Sequence, residues 1–198
     1  MTDATTAGEN PDLLPGPDGL LRCRWASATE DYARYHDEEW GRPVRGNDLL
    51  YERLCLEAFQ SGLSWLTILR KREGFRAGFA GFSIEAVARF TDDDHARLMA
   101  DASIVRNRAK ITAAITNARA AAALEDTTLT DLIWSFAPDP GRPAPVTFAD
   151  VPAITPESKA LAKELKRRGF VFVGPTTAYA AMQACGLVND HLAGCCAR

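Results

Sequence analysis

At 198 residues the chain sits at the upper end of the usual single-domain range, and 46% hydrophobic residues supply an ordinary core that needs neither disulfides nor metal merely to fold. The formal net charge of −3 looks adverse to nucleic acid, but Asp3, Glu9, Asp12 and Asp18 put −4 into the first 21 residues and leave +1 for the rest, a balance that neither requires nor excludes a polyanionic partner. No apolar run of about 18 residues occurs, so no membrane-spanning helix and no membrane partner are expected.

In chain order, residues 1–20 are rich in Thr, Gly, Pro and Asp without helical period and predict a disordered tail ahead of one domain over 21–198. Apolar residues at Leu50, Leu54 and Ala58 predict a helix with Asn47 or Asp48 at its N-cap. Ser83 suits the cap of a short helix from Ile84 to Phe90. Ile104, Ile111, Ile115 and Ala118 mark a long helix running to Leu124. Pro138 to Pro152 reads as a Pro-rich loop. Thr155 and Pro156 form a helix start, and Gly169 closes that helix after Lys166-Arg167-Arg168, basic residues where the dipole favours them. Four apolar residues, Phe170 to Val173, fit either a strand or a link between helices. A lone strand has no partner, so the link is preferred and the class is all-α.

The chain has five cysteines (Cys23, Cys55, Cys185, Cys195, Cys196) and three histidines. With no secretory segment at the start, thiols in odd number point to the cytoplasm, where Cys packs, binds metal or reacts rather than pairing. Cys23 and His36 form one pair; His191 and Cys195, at helical spacing, form another. Two thiolates and two imidazoles would make a closed tetrahedral zinc set at opposite ends of the chain. Buried Cys beside core His fits the same spacing, and Cys196 competes with Cys195.

Tyr32, Tyr35, His36 and Glu39 recur at helical spacing before Trp40. Glu57 interrupts an apolar stretch, and Trp65 follows the Ser61-Gly62-Leu63-Ser64 turn. A carboxylate and aromatic faces suit a flat cationic heterocycle, although core aromatics and an exposed glutamate produce the same pattern. Arg70-Lys71-Arg72, Arg106 with Arg108 and Lys110, and Lys166-Arg167-Arg168 read as solvated helix faces or as phosphate contacts.

Seven stretches resemble the DNA-3-methyladenine glycosylase I family: Arg22-Cys23-Arg24-Trp25, Tyr35 to Gly41, Leu56 to Trp65, Ile104 to Ile111, Trp134-Ser135-Phe136, Lys166 to Phe170, and Met182 to His191 with the Cys195-Cys196 pair. They span the body of the chain and leave out only the tail. The resemblance implies an all-helical domain of the helix-hairpin-helix glycosylase superfamily, with one structural zinc on Cys23, His36, His191 and Cys195 that joins the two ends. It implies Glu57 as the base-contacting carboxylate, Tyr32, Tyr35 and Trp65 as pocket aromatics, and Trp25 and Trp40 as further pocket-wall or packing positions. DNA contacts are expected from Gly62, Leu63, Ser103, Arg106, Arg108 and Lys110. Ser103 stands where the family usually has Gly, in a hairpin turn near DNA, which puts DNA affinity rather than base chemistry in question. The implied activity is base-excision repair: a monomeric hydrolase that cleaves the N-glycosidic bond of 3-methyladenine in double-stranded alkylated DNA, without strand cleavage.

Overall fold

The computed structural model describes residues 10–198. Among them are nine α-helices: α1 (Glu30–Glu38), α2 (Asn47–Gln60), α3 (Trp65–Gly78), α4 (Ile84–Ala88), α5 (Asp92–Ala100), α6 (Arg108–Ala122), α7 (Leu129–Trp134), α8 (Pro156–Arg167) and α9 (Pro175–Ala184). The helical expectation agrees with this architecture. The link reading of Phe170 to Val173 agrees too, since Asn117 pins both the N–H and the carbonyl of Val171.

Every residue of α2 from Leu54 to Phe59 is buried, as suits a helix that packs on α3, α6, α7 and α9 at once. Phe59 meets Phe75 at 4.6 Å between ring centroids, and Phe79 stacks on Phe82 at 5.4 Å. The Tyr51 hydroxyl reaches into this core and donates to the carbonyl of Ala114 at 2.8 Å.

Several expectations at element ends require correction. Neither Asn47 nor Asp48 caps α2. Asn47 Oδ1 accepts from the backbone N–H of Thr130 and Asp48 Oδ1 from that of Ile84, so both side chains bind neighbouring helices. The long helix begins at Arg108, not Ile104: Asn107 caps it by accepting from Lys110 N–H, while Ile104 is buried in the turn between α5 and α6. Ser83 does cap α4, which ends at Ala88. Thr155 caps α8 with Ser158 reciprocating, so a serine closes the box that a glutamate usually closes.

The tail also departs from expectation. Residues 1–9 of the expected disordered segment lie outside the described residues, but 10–20 are structured. Strand β1 (Leu13–Pro15) pairs antiparallel with β2 (Leu21–Cys23). Leu13 packs with Cys23, Leu192, Cys195 and Ala197 in a second small core. Asp12 and Asn10 bond the backbone at Phe148 and Val146. Composition reads this segment as disordered because its apolar partner residues are supplied by the far end of the chain. Chain ends therefore meet through backbone and packing, with Cys196 N–H donating to the carbonyl of Leu21 at 2.8 Å. The His191–Cys195 stretch is a loop, not the helical turn that its spacing suggested.

Ser103 has no positive φ, so the turn between α5 and α6 does not demand glycine at that position. Its accommodation lies instead on α3: a Cβ placed on Gly74 would stand 2.7 Å from the Ser103 carbonyl oxygen and 2.8 Å from its Cβ. Gly74→Ala should therefore destabilise the protein by about 1–3 kcal/mol, in contrast to the usual benefit of Ala over Gly inside a helix. Urea unfolding checks this; a neutral or stabilising result would show that the turn moves away freely.

Candidate active site

One cavity of about 220 Å³ is lined by Trp25, Tyr32, Tyr35, Trp40, Glu57, Gln60, Trp65, Ala180 and Gln183. That is smaller than the roughly 300–1,000 Å³ of drug-sized sites and suits one flat ring system. The structure thus brings together all six carboxylate and aromatic positions singled out in the sequence. It adds Gln60, one turn beyond Glu57 on α2, and Ala180 with Gln183, one turn apart on α9. Sequence reasoning missed these because glutamines and alanines at helical spacing look like ordinary helix residues.

Each wall has a local cause. Ser64 caps α3 by accepting from Thr67 N–H, which fixes Trp65 as the first residue of that helix. Tyr32 on α1 is held by the N–H of Leu66, which donates to its hydroxyl at 3.1 Å. Trp25, in a short 3₁₀ turn, stands edge-on to both Tyr32 (5.4 Å) and Trp40 (5.2 Å), while Tyr35 lies 5.2 Å from Trp65. Edge-to-face packing leaves ring faces available to a guest. The Trp65 indole N–H is buried and has no hydrogen-bond partner among the described residues.

Glu57 is 7% exposed. Burial pushes its carboxyl up to about 8, and the opposing influence is the positive charge of Arg53. Arg53 is itself clamped by Glu39, whose Oε2 accepts from Arg53 Nη2 at 2.6 Å. Arg72 grips the same carboxylate with both terminal nitrogens, at 2.6 and 2.9 Å. These two guanidiniums outweigh burial and hold Glu39 down at about 2.

Behind the pocket, α1 turns its other side to the chain ends. Cys23, His36 and Cys195 are buried, with their ligating atoms all within 4.8 Å of one another. His36 Nε2 is 3.4 Å from Cys195 Sγ, the separation expected of two ligands sharing a tetrahedral metal at bonds of about 2.0–2.3 Å. The outer nitrogen of His36 meets Asp37 Oδ1 at 2.7 Å, and that of His191 meets Asn189 Oδ1 at 2.8 Å, which leaves both Nε2 atoms on the inner side. His191 is adjacent to the trio rather than within it: its Nε2 lies 3.2 Å from the His36 carbonyl oxygen. Burial lowers the His191 imidazole to about 4 and keeps it neutral. Hydrogen bonding from Cys23 pulls Cys195 down, so one thiolate is favoured in the pair. Cys196 is exposed and outside the cluster.

Of the expected DNA contacts, Gly62 (φ 77°) and Leu63 (41% exposed) sit in the α2–α3 turn, between the cavity-lining Gln60 and Trp65. Ser103, Arg106 and Arg108 are exposed around the turn before α6. Lys110 is a correction: it is buried, and its ammonium donates to the carbonyls of Phe59 (2.9 Å) and Ser61 (2.6 Å). It satisfies the open C-terminal end of α2 and is not presented to a phosphate. Two of the basic clusters are likewise engaged within the protein. Arg70 and Arg72 pair with Asp31 and Glu39, and Arg167 and Arg168 with Glu164 and Asp126. Among the described residues Arg106 and Arg108 have no carboxylate partner at salt-bridge distance.

Comparison with known proteins places this arrangement. The family described as methyladenine glycosylase matches residues 25–198. DNA-3-methyladenine glycosylase 1 of Escherichia coli (strain K12) is 48% identical over 180 residues, covering 89% of this chain and 96% of its own length. A crystal structure of 3-methyladenine DNA glycosylase I, 47% identical, superposes with a TM-score of 0.83 over 88% of this chain and 98% of its own. A variant of 3-methyladenine DNA glycosylase I in complex with 3-methyladenine, 32% identical, gives a TM-score of 0.82 over 89% and 96%. No helix of the described residues is long and apolar enough to cross a membrane. A family match that runs from the first pocket tryptophan to the last residue shows that this chain belongs to the methyladenine glycosylase family of DNA glycosylases.

Proposed function

We propose that the protein excises 3-methyladenine from alkylated double-stranded DNA by hydrolysis of the N-glycosidic bond. The observation that carries this reading is the buried Glu57 carboxyl in a small aromatic cavity, together with the relative that is complexed with 3-methyladenine. Methylation at N3 leaves the adenine cationic in DNA. Flipped out of the duplex, such a base gains from the ring faces of Trp65 and the tyrosines and from the Glu57 carboxylate, whereas neutral adenine gains much less. Its positive charge also weakens the bond to deoxyribose. When the C1′–N9 bond breaks, its electron pair goes to the base and cancels that charge; water adds its oxygen to C1′ and releases a proton. Among the described residues no lysine lines the cavity, and the Lys110 amine is held by two carbonyls, which supports a monofunctional reaction without a Schiff base or strand cleavage.

DNA would meet the face that carries the α2–α3 turn and the turn before α6. Leu63 and Gly62 sit in the first of these turns, Ser103, Arg106 and Arg108 lie beside phosphates, and the N-terminal end of α6 offers backbone N–H groups. One zinc ion would be held by Cys23, His36 and Cys195, with His191 as the fourth ligand after a small adjustment. Such a closed set leaves no position for substrate water and supplies cross-linking rather than chemistry.

Three outcomes test this. Release of 3-methyladenine from methylated DNA should fall by about 10²-fold or more in Glu57→Gln and in Trp65→Ala, a loss of roughly 2.7 kcal/mol of barrier stabilisation; full activity in both variants would remove the pocket from the chemistry. Stripping the metal with a chelator should remove activity in step with loss of helical circular dichroism, whereas immediate loss with the fold intact would mean that the metal acts on the reaction. The third concerns stability. The carboxyl of Glu57 has a folded-state pKa above its unfolded value, so its contribution is fully present below about pH 4.5 and is lost as pH rises through about 8. Glu57→Gln should thus stabilise the DNA-free protein at pH 9 by on the order of a few kcal/mol, read as a higher Tm, with little gain at pH 5. An equal gain at both pH values would show that desolvation of the carboxylate is not its cause.

A further inference from the structure

Arg53 lies one helical turn before Glu57 on α2, so the two side chains are neighbours on one face of that helix. It is largely buried, with 12% of its side chain exposed. Its guanidinium has one carboxylate partner, Glu39, and that partner is shared with Arg72. The second terminal nitrogen, Nη1, is buried and has no hydrogen-bond partner among the described residues. A buried guanidinium with an unmatched donor is costly, and a hydrophobic residue would fill the same space more cheaply. Arg53 does not line the cavity, so that cost is not offset by contact with a guest.

We infer that Arg53 is a positioning residue for the base-binding carboxylate: clamped by Glu39, its guanidinium opposes protonation of Glu57 and so favours the ionised form that a cationic base requires. This inference rests on the reading of Glu57 as the base contact and adds the group that controls its charge.

Among the charged neighbours of Glu57, Arg53 is the one that favours its ionised form. From α1 come Tyr35 and, just beyond the helix, Glu39; from α3 comes Arg72, which reaches Glu57 only through Glu39; from the end of α9 comes Cys185. Burial raises the Tyr35 hydroxyl well above its ordinary value and the Cys185 thiol to about 12, so both stay neutral over the working range. Glu39 stays ionised and spends its charge on two arginines. Burial dominates and keeps the Glu57 carboxyl above its ordinary range in the empty site; Arg53 is the positive charge that opposes it and eases ionisation when a cation enters. Its attachment to Glu39 limits the cost to the guest, because the Arg53–Glu39–Arg72 chain carries a net charge of only +1 and the ionised Glu57 cancels it. A protonated Glu57 would leave that charge uncompensated beneath a cationic base.

The test reads Glu57 directly. Carboxyl-¹³C NMR of glutamate-labelled, DNA-free full-length protein, with the signal assigned by its disappearance in Glu57→Gln, gives the titration midpoint of Glu57. It should rise by one pH unit or more in Arg53→Met and stay within a few tenths of the wild type in Arg53→Lys. In parallel, the acidic limb of kcat/KM for base release from methylated DNA should move to higher pH in Arg53→Met, with activity recovering at alkaline pH and in Arg53→Lys. Should Arg53→Met fail to fold by circular dichroism, Arg53→Gln replaces it with the same expected rise. A midpoint that is unchanged or lowered in the charge-free variant overturns the inference and leaves Arg53 a packing residue. Because the titration is measured without DNA, absence of base release in the wild type would count against the proposed activity without touching the result for Arg53.

Discussion

The Glu57 carboxyl is withdrawn from water in a cavity walled by indole and phenol rings, where burial drives its pKa upward and only a charge one turn away pulls it back. That arrangement costs folding energy in the empty protein and is repaid only when a cation arrives. Much of the surrounding structure serves to make it possible. α2 is buried from Leu54 to Phe59, so the Glu57 side chain is hemmed in by apolar neighbours and opens only onto the cavity. Arg53 supplies a positive charge, Glu39 prevents that charge from being excessive, and Arg72 ties Glu39 to α3. Under the proposed function, such a site would favour a cationic base over the neutral adenines of undamaged DNA by electrostatics in low-dielectric surroundings, without any need to read sequence.

α1 is the element that joins chemistry to architecture. Over five residues it delivers Tyr32 and Tyr35 to the pocket and His36 to the cysteine–histidine cluster. Trp25 and Trp40 form the partition: Trp25 stands 5.1 Å from the His36 ring, and Trp40 stands 4.7 Å from that of His191. Whatever fixes the cluster therefore fixes two pocket walls from behind. The second small core, built from Leu13, Cys23, Leu192, Cys195 and Ala197, packs both chain ends against the same partition. A metal there would act at a distance on the pocket by restricting how far α1 can move, not by touching the substrate.

Lys110 shows how a residue type can mislead. Its position in a run of basic residues suggests phosphate binding, yet its ammonium closes the carboxyl end of α2 while Asn107 caps the amino end of α6. The two turns proposed to meet DNA, after α2 and before α6, are thereby locked to each other. Ser103 fits the second of them because Gly74 leaves it room.

Much was legible from the chain alone because its chemistry is local. A carboxylate inside an apolar stretch, aromatics at helical spacing, and a helix start at Thr155-Pro156 each declare themselves within a few residues. The family resemblance extended these to a pocket and a set of metal ligands. Element ends were less legible: Asn47 and Asp48 look like caps, but partners many residues away recruit them, and composition cannot show that Leu13 will find Leu192. The sequence by itself determined that Glu57 would be surrounded by apolar neighbours and that cysteine and histidine would occur at both ends. Only the tertiary structure decided that Glu39 would clamp Arg53 and Arg72 beside the buried Glu57, and that Arg106 and Arg108 would be left facing solvent while the other basic clusters found carboxylates. The reason is physical: burial, and the charge state that burial permits, depend on which distant segments pack together, and no local pattern encodes that.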